Sequence, residues 1–330
     1  MRIVVTGSIA YDYIMVFPGQ FKDHILADKV HILSVSFLVD SMKKMRGGTA
    51  PNIAYNLALL GEHPHVMGTV GQDFAEYRVW LENAGVDTSL VKVIEDDFTS
   101  SCFINTDLSD NQITAFYPGA MNHAHKLRLH TDGNKPDFVI IAPNDPAAMA
   151  QYVIECQTHN IPYMYDPSMQ APRMDGPELL TGCKNASMLI GNDYEFAMMA
   201  DKIGCSEDEL RQIVPLTVVT KGGEGAIIHH NGEIFEIPVA KARRVEDPTG
   251  AGDAFRAGFV RGYLAGLSMP VVGRIASMTA CYAIEQHGTQ EHSYTQAEFV
   301  ARYTENYGAS AELETLFKSE IESQNQNNHD

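Results

Sequence analysis

The sequence predicts an α/β fold, a three-layer α/β/α sandwich built on a mostly parallel sheet, with a small second sheet beside it. Three observations carry this expectation. From residue 137 onward, short β-branched runs alternate with helical patterns, as in repeated β-α-β units. Polar, glycine-containing loops follow the ends of those runs, which is where open α/β sheets bind ligands. Two early stretches, about residues 13–46 and 97–118, break the pattern with short apolar alternations and fit a sheet outside the main core.

The elements follow in order. Arg2 to Thr6 is a β-branched run ending at Gly7-Ser8, a buried strand that delivers a loop. Residues Phe17 to Arg46 read as strands of the smaller sheet. Gly47-Gly48-Thr49 opens a helix over Pro51 to Leu60, stopped by Gly61. Val66 to Val70 is a strand and Asp73 to Ala84 a helix. Thr99 to Tyr117 reads as an exposed hairpin. Asp137 to Ala142 is a strand, Pro146 to His159 a helix, and Tyr163 to Tyr165 a strand ending at Asp166-Pro167. Ala186 to Ile190 is a strand, followed by helices over Tyr194 to Lys202 and Ser206 to Ile213. Leu216 to Thr220 is a strand ending at Lys221-Gly222-Gly223, and a hairpin spans Ala226 to Pro238. Helices over Gly252 to Gly266, Pro270 to Glu285 and Thr295 to Tyr307 close the pattern. One domain over residues 1–318 is expected, with a polar, disordered tail over 319–330.

Composition narrows the function classes. The formal net charge of −18 disfavours extended nucleic acid, which needs a basic stripe to displace counterions. A phosphate ligand remains compatible, because a pocket can be locally positive in an acidic protein. The five cysteines form no CxxC motif, and the odd count with a reducing setting points to the cytoplasm. The opening residues are too polar for a signal peptide, and no apolar run is long enough to span a membrane.

The most informative motif is Gly250-Ala251-Gly252-Asp253, directly before an apolar helix. Glycines admit close approach of a phosphate, and the first N–H groups of a helix point at an anion. An aspartate there would repel a ground-state phosphate, unless it takes a proton from a hydroxyl while that oxygen attacks phosphorus. No Lys-Ser/Thr follows the glycines, so this is not a Walker A loop. Gly47-Gly48 opens another helix and puts Asn52 in its first turn, beside a hydroxylated ligand or in a plain turn. Asp12 follows Gly7-Ser8 and could accept two hydrogen bonds from a diol. Asn192 and Glu195 form a capping box after a strand; the alternative is that they orient hydrated Mg²⁺ and phosphate. Thr220 to Gly225 could border a nucleotide. Asn122-His123-Ala124-His125 lacks accompanying ligands for a metal site.

Together these residues resemble the ribokinase-like (PfkB) family of carbohydrate and nucleoside kinases. GGTAPNIAYNLALLG at Gly47 to Gly61 and DPTGAGDAFRAGF at Asp247 to Phe259 are similar to its two signatures, in order. QITAFYPGAM, DPSMQ, NDYE and HGTQE are similar to the bacterial adenosine kinases of that family. The resemblance implies a ribokinase-like fold with a lid, ATP-dependent phosphorylation of the 5′-hydroxyl of adenosine, and a homodimer. It also implies that Ser8, Asp12, Gly48 and Asn52 hold the ribose, that Phe116 stacks on the base, and that Gln170 and Arg173 line the same pocket. Asp253 would be the base, and the N–H groups of Gly250, Ala251, Gly252 and Asp253 an anion hole. Asn192, Thr220, Gly222, Gly225 and Gly252 would hold ATP, with Glu195 acting on Mg²⁺ through water. Asp247 and Thr249, with backbone near Ala283, Gln286 and Gly288, match a monovalent-cation (K⁺) site.

Two positions depart from the pattern. Cys102 stands where the family places an aromatic on the lid, with Phe103 on the opposite strand face. Met169 stands where these kinases tend to carry Gln. Two other readings stay open: a kinase for ribose or another sugar, and a non-catalytic nucleoside sensor.

Overall fold

A computed structural model describes residues 1–130 and 133–318. The tail expected to be disordered, 319–330, lies outside the described residues. β1 (Ile3–Thr6), β2 (Ala10–Val16) and β3 (Ser41–Gly47) lead into α1 (Thr49–Leu59). β4 (His65–Gly71), α2 (Ala75–Asn83), β5 (Val91–Ile94) and the hairpin β6 (Ser100–Thr106) and β7 (Gln112–Tyr117) follow. Next come β8 (Phe138–Ile141), α3 (Pro146–Thr158), β9 (Tyr163–Tyr165), α4 (Gly176–Cys183) and β10 (Met188–Asn192). The chain continues through α5 (Asp193–Ile203), α6 (Glu207–Ile213), β11 (Leu216–Thr220), β12 (Ala226–His230) and β13 (Glu233–Ile237). It ends in α7 (Ala251–Leu264), α8 (Met269–Ala283) and α9 (Gln296–Tyr307).

The larger sheet has nine strands in the order β13-β12-β11-β10-β9-β8-β1-β4-β5. Strands β5 to β11 in that order pair in parallel, and the β11-β12-β13 edge is antiparallel. The alternation of side chains along β1 separates the layers. Ile3 and Val5 pack with Ile53, Leu57 and Phe259 of α1 and α7, while Val4 packs with Met149, Tyr152 and Phe196 of α3 and α5. Helices therefore cover both faces. A third cluster, with Phe299, Tyr303 and Phe317, joins α8 to α9.

The smaller sheet has the order β3-β2-β6-β7. Its strands fall within residues 10–47 and 100–117, but residues 17–40, expected to be strands, hold 3-10 turns and irregular chain. The reason is visible in the side chains. Phe17, Phe21 and Phe37 converge on one point, with ring centroids 4.9 to 5.6 Å apart, instead of alternating across a pleat. β2 begins at Ala10, three residues before the stretch expected to form this sheet, and two short elements, β5 and α4, were not among those expected.

Candidate active site

The loops after β1, β8 and β9 and the ends of β10 and β11 converge on one side of the larger sheet, beneath the smaller one. There they enclose a cavity of about 740 Å³. Gly250 precedes α7 in a left-handed conformation, φ 81°, and a Cβ there would press to 2.9 Å on Thr289. That turn lets α7 begin at Ala251 with its first N–H groups unpaired within the helix. Gly250, Gly252 and Asp253 all line the cavity.

Asp253 is held from α1. The Asn52 Nδ2 donates to Asp253 Oδ2 at 2.8 Å. The amide of Asn52 is oriented in turn, because its Oδ1 accepts from Thr289 Oγ1 at 2.8 Å and Gln290 Nε2 at 2.7 Å. Gln290 also donates to the Tyr77 hydroxyl, which donates to the carbonyl of Gly47. Burial pushes the Asp253 carboxyl up to about 7, although Arg256 and Asn52 pull it down. An aspartate with that pKa can accept a proton at neutral pH and release it again.

Two residues beside Asp253 escaped the sequence reading. Arg256, one turn along α7, donates from Nη2 to Asp166 Oδ1 and Ser168 Oγ, both at 2.8 Å, and its Nε pairs with Asp166 Oδ2. Asp166 follows β9 and is fully buried, so the pair lies inside the molecule. A signal for it existed: Arg256 is a charge inside the apolar run AFRAGFV, and buried charges come paired.

Ser8, Asp12, Gly48 and Asn52 line one end of the same cavity. Ser8 Oγ accepts from the Thr49 N–H at 3.1 Å. Among the described residues no donor reaches the Asp12 carboxylate, and burial, with Asp247 adding to it, pushes that group up to about 6. Asp12, Cys102 and Phe116 stand in register across β2, β6 and β7 and all face the cavity. Phe103 points to the other face and stacks on Tyr13 at 4.9 Å, as its place on the strand predicts. Gln170 and Arg173 also line this end; Arg173 Nη1 donates to Gln170 Oε1 at 3.2 Å. Met169 lies on the same wall, 70% exposed.

Asn192 and Glu195 sit at the far wall. Their capping box forms: each backbone N–H donates to the other's side chain at 2.8 Å. Burial raises the Glu195 pKa, with Asp166 adding to it. Thr220, Gly222 and Gly252 border this cavity and also a second one of about 610 Å³, so the two chambers adjoin. The second chamber includes Gly225 and an apolar wall from Val239, Val245, Phe255 and Ile284 that the sequence reading did not name. Ala283 is fully buried and lines neither chamber; its neighbour Ile284 supplies that wall instead.

Asp247 accepts from the N–H groups of Thr249 at 2.9 Å and Gly288 at 3.1 Å. Burial pushes its carboxyl up, but these bonds outweigh it and hold the pKa below the usual range. Among the described residues no cluster of three His, Cys, Asp or Glu side chains could hold a metal ion by itself. No helix among them is long and apolar enough to cross a membrane.

A mostly parallel sheet with an aspartate at a glycine-led helix start, roofed by a smaller sheet, is the architecture of ribokinase-like phosphotransferases. The chain belongs to the pfkB family of carbohydrate kinases, whose family model matches residues 3–296. It is 31% identical over 307 residues to a nucleoside kinase of Methanocaldococcus jannaschii, covering 91% of this chain and 96% of that protein. It is also similar to a nucleoside kinase of Burkholderia thailandensis solved in complex with inosine. That match is 37% identical with a TM-score of 0.83, covering 93% of this chain and 98% of the other. The solved Methanocaldococcus jannaschii enzyme superposes with a TM-score of 0.84 at 29% identity, covering 93% and 99%.

Proposed function

We propose that this protein transfers the γ-phosphoryl group of ATP to the 5′-hydroxyl of adenosine, giving AMP and ADP, a step of purine salvage. The observation that carries the reading is Asp253, locked by Asn52 at the start of α7, where the two adjoining chambers meet. The larger chamber takes the nucleoside. Asp12 and Asn52 bind the ribose hydroxyls with Ser8 and Gly48 beside them, and Phe116 stacks on the base with Gln170 and Arg173 at its edge. The second chamber takes the adenine of ATP against its apolar wall, and Thr220, Gly222 and Gly225 border its ribose and phosphates.

Asp253 removes the proton of the 5′-hydroxyl as that oxygen attacks the γ-phosphorus. The bond from the γ-phosphorus to the bridging oxygen breaks, and ADP carries that electron pair away. The N–H groups of Gly250, Gly252 and Asp253 would serve the charge that builds on the transferring oxygens, whereas that of Ala251, expected to join them, donates to the Pro248 carbonyl at 3.2 Å. The smaller sheet acts as a lid that excludes water, so ATP is not hydrolysed instead.

Glu195 is a hard oxygen donor on the phosphate side and fits Mg²⁺ held through water; bound Mg²⁺ would neutralise phosphate charge. Asp247, kept ionised beside Thr249 and Gly288, suits a monovalent cation such as K⁺. The protein acts as a homodimer without nucleic acid or membrane.

A relative that binds inosine favours one second reading, in which a 6-oxopurine nucleoside is the acceptor. A coupled assay of ADP release with adenosine, inosine, cytidine, ribose and fructose decides. Adenosine is expected to give the highest kcat/KM. Ribose or fructose in first place would overturn the nucleoside reading, and ligand-induced stabilisation without ADP release would indicate a sensor.

A further inference from the structure

Arg256 has more donors than its buried partners use. Its neighbours on α7, Phe255 and Ala257, are apolar and buried, and its own side chain is only 9% exposed. Helix side chains lean toward the N-terminus, and this one runs back along α7 until Nη1 lies over Gly252. A Cβ at Gly252 would come within 2.6 Å of that nitrogen. Asp166 and Ser168 take Nε and Nη2. Nη1 has no partner among the described residues, and Arg256 lines the large cavity together with Gly252, Asp253 and Glu195.

The charges on that wall explain why a cation belongs there. Four carboxylates line the cavity, Asp12, Asp166, Glu195 and Asp253, against two guanidinium groups. Arg173 follows β9 and donates to Gln170, whereas Arg256 stands on α7 itself, three residues from Asp253. That leaves Arg256 to offset the repulsion an incoming phosphate meets from Asp253, Asp166 and Glu195. A guanidinium fixed by a carboxylate needs no rearrangement when charge develops beside it, which is the condition for effective electrostatic catalysis.

We infer that Arg256 is a catalytic residue whose Nη1 binds the phosphoryl group in transit, with Asp166 and Ser168 as positioning residues that hold it over Gly252. The inference rests on the phosphoryl-transfer reading above and adds a side-chain cation to the N–H groups of the helix start.

The test uses Arg256→Met, Arg256→Lys and the double variant Arg256→Met/Asp166→Asn. The double variant removes both charges, so no unpaired buried carboxylate is left to unfold it. Steady-state kinetics are combined with calorimetric titration of the best acceptor from the panel, of MgADP, and of MgADP with fluoroaluminate in the presence of that acceptor. In the folded double variant, acceptor and MgADP affinities are expected to stay within about threefold of wild type. The kcat and the extra affinity conferred by fluoroaluminate should each fall by at least about 10²-fold. Arg256→Lys should recover part of both.

A folded double variant that keeps kcat and fluoroaluminate affinity within about threefold overturns the inference and leaves Arg256 as a counter-charge for Asp166. A wild-type protein that phosphorylates no acceptor in the panel overturns the kinase reading itself, so the two failures are distinguishable.

Discussion

Asp253 has two tasks that pull its pKa in opposite directions. As the proposed base it would have to lie deep enough to meet a hydroxyl in a water-poor site, which favours the neutral carboxyl, and be ionised to take the proton. Asn52 and Arg256 supply the second condition against the first. With a pKa near 7, kcat/KM is expected to rise with pH through about 7 and level off above it, as a pH–rate profile would record. Asp253→Asn should fold and lose about 10²–10⁴-fold in kcat; a variant retaining more than about a tenth would remove Asp253 from the role of base. The same shift has a stability side. The fold favours the protonated carboxyl, so its contribution is complete below about pH 4 and is lost as pH rises through about 7. Asp253→Asn, which does not titrate, is therefore expected to melt level with wild type near pH 4 and above it at pH 8.

The connections between the sheets matter as much as the strands. Gly48 links β3 to α1 with φ 94°, and a Cβ there would fall 2.5 Å from the Ser8 carbonyl oxygen and 2.7 Å from the Ala10 nitrogen. These are backbone atoms that cannot swing aside. Gly48→Ala is expected to cost about 1–3 kcal/mol of stability, read as a lower melting temperature at constant ligand. Elements of this kind were legible in the sequence because glycine pairs and β-branched runs state backbone conformation locally. Gly47-Gly48 before a helix and Gly250 to Gly252 before another needed no tertiary information. Residues 17–40 misled for the opposite reason: their short apolar alternations look like strands locally, but Phe17, Phe21 and Phe37 meet in three dimensions and hold the segment in turns. Helix α4 was missed although Asp175, Pro177 and Glu178 spell its capping box, because its eight residues are too few to show a period. The Asp166–Arg256 pair could not be read, since its members lie 90 positions apart and meet only when β9 packs beside α7.

At the scale of the whole molecule, the smaller sheet leaves one side open. All six residues of β7 are exposed, and β7 is an edge strand, with Ile113 44% and Tyr117 45% exposed. An edge of that kind is a template for pairing with another chain. Analytical ultracentrifugation is expected to give twice the 36.4 kDa of one chain. A proline placed at Ile113 should shift the mass toward one chain, and a monomer at micromolar concentration in the unaltered protein would remove the homodimer from the proposal. The two sheets also carry separate parts of the site. Asp12, Cys102 and Phe116 ride on the smaller one, whereas Asp166, Asn192 and Thr220 stand at strand ends of the larger, with α7 packed against it. On the proposed reading acceptor choice is modular: substitutions at positions 102 and 116 of the smaller sheet would change which nucleoside is taken, while Asp253 and the helix start that carries it stay as they are.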